Sequence, residues 1–269
     1  MGQSRAKSRH CPDPCTELHA ASTRGHSGRV DSYASQEVAP KRKRQRQGTS
    51  RLDYANISKW GPKAEKQLAS SSADIIALAE HHLPKHATGA LTQHMKRLGY
   101  TTFCQPARKG HGGTALSIKT RHTLGEIPHH NNRDAAIGNA FTLVPIRFRT
   151  GTVLIGSVYL LTSIGIKGDN LELLAELGAT RRALGGPFIL LGDFNATPEE
   201  LYNSGWLQRL QATAVTPTGA SITCTQGEGR MIDYAVVSDS ATGLLQDLAI
   251  DLDMDWKPHV GLRATLSKQ

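Results

Sequence analysis

Cysteine is scarce in this chain: Cys11, Cys15, Cys104 and Cys224 are the four in 269 residues. Two lie near the N-terminus and two are far apart, so nothing requires a disulfide framework, and a reducing compartment is the default expectation. No apolar run approaches the roughly 20 residues that span a bilayer. The N-terminus has no apolar h-region, so a secretory signal is not expected. The opening MGQSRA puts Ala6 where a myristoylation site wants Ser or Thr. Internal repeats and a P-loop are missing as well. The expectation is a nuclear or cytoplasmic protein, not secreted and with no membrane partner.

What is present begins with charge. The net charge is +9. Residues 1–50 hold ten Lys/Arg and four Asp/Glu, giving +6 and leaving +3 for the remainder. The body is thus only mildly basic, and bulk charge is weak evidence that it binds nucleic acid. Residues 1–50 are rich in Ser, Arg, Lys, His and Gln and too poor in apolar groups to offset chain entropy, so they read as a disordered basic tail. Residues 51–269 read as one domain. The tail ends in KRKRQR, residues 41–46, a nuclear import signal, a nucleic-acid-binding arm or a solvated linker. CPDPCTELH places Cys11, Cys15 and His19 near one another but matches no standard zinc finger.

From Leu52 onward, short apolar runs alternate with amphipathic segments. DIIAL (74–78), GGTALSIK (112–119), FILL (188–191), MIDYAVVS (231–238) and HVGLRATL (259–266) read as strands. AFTLVPIRF (140–148) and TVLIGSVYLL (152–161) flank a turn and read as a hairpin, with Pro145 pointing to an edge or bulge. Helices are expected over 61–71, 91–99, 170–186 and 197–210. In the third, Leu171, Leu174, Leu177 and Leu184 form a stripe. In the last, Thr197, Pro198 and Glu200 form a capping-box pattern. The mixture predicts an α/β fold: a four-layer α/β/β/α sandwich, two mixed sheets packed face to face with helices outside.

The ends of the predicted strands carry the chemistry. Glu80 follows DIIAL, Asp193 and Asn195 follow FILL, Asp233 lies in MIDY, and His259 opens the last strand. FILL is expected to end at Gly192 so that Asp193 and Asn195 leave the core. With Asn56, these residues supply three carboxylates, an imidazole and two amides. Such hard oxygen ligands suit Mg²⁺ or Mn²⁺ rather than zinc. A metal, a water activator and amide donors are what water attack on a phosphodiester needs.

LLGDFNATPEE resembles the signature of the endonuclease/exonuclease/phosphatase superfamily, the DNase I-like fold, and five further pieces follow the same order. YANISKWG resembles the first strand, with Asn56 at the metal site. DIIALAEHHL puts Glu80 on the metal-binding glutamate. SVYLLTS places Tyr159 on a phosphate-contacting tyrosine. RMIDYAVVS and PHVGL place Asp233 and His259 on a paired acid and histidine. The resemblance implies that Glu80, aided by Asn56, holds Mg²⁺. It implies that Asp193 orients or deprotonates water and Asn195 bonds the scissile phosphate. It also implies that His259, aligned by Asp233, contacts phosphate or shuttles a proton.

The pattern departs from the family in four places. Ala79 replaces a Gln, Thr162 or Ser163 an Asn, and Arg230-Met231 alters SRIDY. Lys257-Pro258-His259 stands for Ser-Asp-His, with Asp253 or Asp255 as possible stand-ins for the lost Asp. Losing such an orienting group commonly costs about 10- to 100-fold. Arg108, Lys109 and Trp256 are candidate substrate contacts, through phosphate and base stacking. The three histidines of EHHLPKH are read as a solvated loop. The expected function is a Mg²⁺-dependent phosphodiesterase, an endonuclease of retroelement type with nucleic acid as partner, DNA ahead of RNA. The alternatives are a decayed nucleic-acid- or protein-binding pseudoenzyme, or a phosphatase acting on phospholipid or inositol phosphate.

Overall fold

A computed structural model describes residues 48–108, 111–125, 136–137 and 141–267. The tail expectations, the Cys11/Cys15/His19 group and Lys109 lie outside these residues. In chain order the described elements are β1 (Thr49–Asn56), α1 (Pro62–Ala69), β2 (Ile75–Ala79), α2 (Thr88–Arg97), β3 (Tyr100–Gln105) and β4 (Thr114–Lys119). Then come β5 (Ala136–Ile137), β6 (Phe141–Phe148), β7 (Gly151–Tyr159), α3 (Gly168–Leu184) and β8 (Phe188–Asp193). The chain closes with α4 (Pro198–Asn203), α5 (Trp206–Leu210), β9 (Ala212–Val215), β10 (Asp233–Ser238), β11 (Leu245–Trp256) and β12 (His259–Ser267).

The strands form two six-stranded mixed sheets, ordered β11-β12-β1-β2-β4-β3 and β5-β6-β7-β8-β10-β9. Each has one parallel pair at its centre, β1 with β2 and β7 with β8. Alternate residues of both sheets meet in the central core: Leu52, Ile75, Ala77 and Leu116 from one, Ile155, Ile189, Leu191 and Ala235 from the other. The opposite faces are covered by helices, because FILL-type strands are apolar on both sides. α1 and α2 bury Ala64, Leu68, Leu91 and Met95 on the first sheet. Leu174 and Leu177 of α3 pack on the second, with Leu201, Trp206, Leu207 and Leu210 of α4 and α5. The four-layer α/β sandwich expected from the sequence is the observed architecture.

Local expectations are corrected at four points. Leu171 is 46 % exposed, so the apolar stripe of α3 runs through Leu174 and Leu177 instead. The helix expected over 197–210 is two helices, because Gly205 turns left-handed at φ 73° between them. The capping box is present: Thr197 Oγ1 accepts from Glu200 N at 3.2 Å, and Glu200 Oε2 accepts from Thr197 N at 2.6 Å. β8 does not stop at Gly192 but continues through Asp193, which pairs with Tyr159 of β7 and Asp233 of β10. A Cβ on Gly192 would lie 2.6 Å from Val158 O, so glycine lets the two backbones approach. His81 is fully buried, accepting from Leu83 N at 3.0 Å and bonded to Gln105 O at 2.9 Å. The loop after Glu80 is therefore packed at that point rather than solvated.

Candidate active site

The carboxyl ends of β1, β2, β7 and β8 and the amino ends of β10 and β12 meet on one edge of the sandwich. Parallel register sets Asn56 beside Ala79, the residue before Glu80, and sets Tyr159 beside Asp193. Antiparallel register sets Asp233 directly opposite Asp193. An isolated bridge between Cys224 and His259 holds the start of β12, and Pro258 O accepts from Thr225 N at 2.8 Å.

A chain of hydrogen bonds links these side chains. Asn56 Nδ2 donates to Asp193 Oδ2 at 2.9 Å and lies 3.3 Å from His259 Nε2. His259 Nδ1 is 2.8 Å from Asp233 Oδ2, and Tyr54 Oη donates to Asp233 Oδ1 at 3.3 Å. Asp193 Oδ1 accepts from Asn195 N at 2.9 Å, and Asn195 Nδ2 donates to Leu160 O at 2.7 Å. Asp193 is 2 % exposed and Asp233 is fully buried. Glu80 and Asn195 hold left-handed backbone at φ 56° and 47°, a strain of the kind that clusters at functional sites.

Burial is the largest single influence on each of these groups. It raises the Asp193 carboxyl well above its usual range, with the Asp233 charge adding and His259 opposing. For Asp233, burial likewise outweighs the His259 hydrogen bond, and the pKa rises. Burial alone would lower His259. The Asp233 hydrogen bond and the charges of Asp233, Asp193 and Glu80 outweigh that, and its pKa is pushed up to about 9. Burial also raises the Tyr159 hydroxyl, helped by its hydrogen bond to Glu80.

One ligand atom each of Asp193, Asp233 and His259 lie within 4.8 Å of one another, close enough together to hold a metal ion. Asp233 is committed to His259 and Tyr54. Glu80 is the partly exposed acid of the group, and its charge acts on Asp193, His259 and Tyr159. Three carboxylates against one imidazole leave an excess of negative charge. That donor set fits a hard divalent cation.

Of the sequence-predicted residues, Asn56, Glu80, Tyr159, Asp193, Asn195, Asp233 and His259 come together. Trp256 does not offer a stacking face: it is 3 % exposed and packs with Trp60 and Leu68 beneath the first sheet. Asp253 does not stand in for the missing Asp. Its carboxylate is 80 % exposed and accepts from Arg263 at 3.0 Å. Arg108 is exposed and bordered by a cavity of about 600 Å³ that reaches Tyr159. Two members of the network escaped the sequence reading. Tyr54 shares a strand face with Asn56, two residues away, and that period was the available signal. Thr223, whose Oγ1 accepts from Asp233 N at 2.8 Å, lies in irregular chain and gave none.

Residues 46–249 match the model of the endonuclease/exonuclease/phosphatase family, three-quarters of the chain, and the chain belongs to that family. No curated protein sequence matches it. Among solved structures it is similar to the endonuclease domain of TRAS1, a telomere-specific non-LTR retrotransposon. The TM-score is 0.64 at 17 % identity, over 82 % of this chain and all of that one. It is also similar to the AP endonuclease LMAP from Leishmania major (TM-score 0.63, 13 % identity, 81 % of this chain and 88 % of that one). A third likeness is to the 3′ phosphatase NExo from Neisseria bound to a product DNA hairpin (TM-score 0.58, 19 % identity, 81 % and 99 %). At such identities these likenesses establish the fold.

Proposed function

We propose that the chain is a divalent-metal-dependent phosphodiester hydrolase acting on nucleic acid, an endonuclease of retroelement type that takes DNA ahead of RNA. The observation that carries this is the continuous network Asp193–Asn56–His259–Asp233, buried at the strand ends beside the carboxylate of Glu80. The retrotransposon endonuclease, AP endonuclease and DNA-hairpin-bound phosphatase among its structural likenesses support the choice of nucleic acid.

In this reading Glu80, with Asn56, holds Mg²⁺ or Mn²⁺, and the bound ion supplies Lewis acidity toward a phosphoryl oxygen. Asp193 is fixed by Asn56 and by the Asn195 backbone, which aims its carboxylate to orient and deprotonate a water. Asn195, tied to Leu160 O through its amide, offers a preset donor to the scissile phosphate. Asp233 fixes the His259 ring and stabilises its charge, so that Nε2 faces the reacting phosphate. Tyr159 contributes a hydroxyl that stays protonated.

A second reading is a pseudoenzyme that binds nucleic acid without turnover. It is favoured by Lys257-Pro258 in place of Ser-Asp and by Asp253 turning to Arg263. Plasmid nicking in Mg²⁺ separates the two, with wild type set against Asp193→Ala and His259→Ala. The hydrolase reading expects the variants to lose at least 100-fold, in line with a general acid–base contribution of about 10²- to 10⁴-fold. Wild type nicking no faster than either variant leaves the pseudoenzyme.

A further inference from the structure

The cavity beside Tyr159 has a lining at odds with simple phosphate binding. α3 turns its apolar face, Leu174 and Leu177, onto the second sheet. A second face, one turn per step, presents Asp169, Glu172 and Glu176 to the cavity. The segment around β4 supplies Arg108 and His111, held by reciprocal backbone hydrogen bonds of 3.0 Å. Gly112 and Gly113 sit there at φ 72° and 89°. A Cβ on Gly113 would lie 2.5 Å from the buried His81 ring, and one on Gly112 would lie 3.0 Å from Tyr159. The glycine pair thus lays this wall against Tyr159 and shapes the space. Leu161 and Leu173 add apolar surface.

The cavity opens next to the reaction centre, since Tyr159 lines it and pairs in register with Asp193. A volume of about 600 Å³ is within the range of small-ligand sites. A phosphate is repelled by the carboxylates of α3 and attracted toward Arg108 and His111. The carboxylates accept from N–H and O–H donors. On paired base edges, where ring N–H groups are committed to the partner strand, the donors that remain are the exocyclic amino groups of adenine, cytosine and guanine, which thymine and uracil lack.

We propose that this cavity is a base-reading subsite for a nucleotide flanking the scissile phosphate. Asp169 and Glu172 select bases that bear an exocyclic amine, and Arg108 and His111 take the adjoining phosphate. The proposal rests on the hydrolase reading above.

The test uses the full chain in Mg²⁺ and duplex oligonucleotides carrying each of the four bases at the two positions flanking the cleaved bond. At one of these positions thymine is expected to lower kcat/KM by about 5- to 100-fold, the discrimination of one well-placed base contact. The double variant Asp169→Asn/Glu172→Gln is expected to bring the four bases within about twofold, because amides both donate and accept. Both residues are exposed, so the substitutions leave the core untouched, and circular dichroism checks that the variant folds. A readout independent of turnover is the anisotropy of the same labelled strands on Asp193→Ala protein, with and without the double substitution. Equal handling of all four bases by wild type, or discrimination that survives the double variant, overturns the subsite and leaves the hydrolase reading standing. Wild type that neither cleaves nor binds overturns both. If strands bind without being cut, the base preference in binding decides the subsite in the same way.

Discussion

Replacing Gly192 with alanine isolates one physical requirement of the site. Gly192 precedes Asp193 in β8, where the strand runs parallel to β7 with Gly192 against Val158. An added Cβ would lie 2.6 Å from Val158 O and 2.8 Å from Val158 Cβ, where real Cβ contacts essentially never fall below 3.0 Å. The obstacle is backbone in a sheet covered on both faces, so no side chain can swing away. The two strands must part by several tenths of an ångström. Overpacking of this kind costs about 1–3 kcal/mol. At about 2–4 °C per kcal/mol for a domain of this size, the melting midpoint should fall by roughly 2–12 °C. The displacement falls on Asp193 relative to Tyr159, and a misplacement of about 1 Å can cost about 100-fold in rate. Calorimetry and plasmid nicking measure the two effects. Gly243→Ala, with nothing within 4 Å of the new Cβ, is the control and should stay within about 0.5 kcal/mol of wild type. If Gly192→Ala melts and nicks like the control, the close-approach account is wrong.

Three further outcomes are expected. Asp233→Asn removes the charge that holds His259 up, so in metal-free protein the ring should titrate well below about 9 by histidine NMR; an unchanged value refutes the pairing. Mg²⁺ at 100 times its dissociation constant should stabilise the wild type by about 2.7 kcal/mol, and EDTA should reverse this. Glu80→Gln should lose most of that increment in a thermal-shift titration, and full retention would remove Glu80 from the cation site. Asp74, at the far end of β2, is opposed by burial, but hydrogen bonds from His122, Arg51 N and Arg121 lower its carboxyl pKa. A depressed carboxyl stabilises the fold above its unfolded value of about 3.9, and that stability is lost as pH falls through the folded value. Urea midpoints of wild type and Asp74→Asn should therefore differ at pH 7 and converge in acid; parallel curves would count against the linkage.

The strands that sequence reading found are those with continuous apolar runs, because burial on both faces leaves that mark on local composition. β11 was missed for the opposite reason. LQDLAIDLDMDW carries four aspartates in twelve residues, and nothing local permits burying Asp251. Its partners are Arg51 of β1, at 3.2 Å, and Arg263 of β12, at 2.7 Å, two strands that sequence alone does not place beside it. β3 and β9 are short and only half-buried, and their signal was correspondingly thin. At the site, the acids, amides and imidazole could be named from strand ends and a family resemblance. Trp256 was misjudged because a tryptophan looks the same in sequence whether it faces solvent or a helix layer.

By itself the sequence determined the strands with continuous apolar runs, the main helices, and which polar groups stand at their ends, because hydrophobic period and capping chemistry are local properties. Only the tertiary structure decided that Asp193 lies opposite Asp233, that His259 bonds Asp233 directly and reaches Asp193 through Asn56, and that α3 lines the adjoining cavity with carboxylates. Those facts follow from sheet register and layer packing, which join segments up to 203 positions apart and are written in no single stretch of the chain.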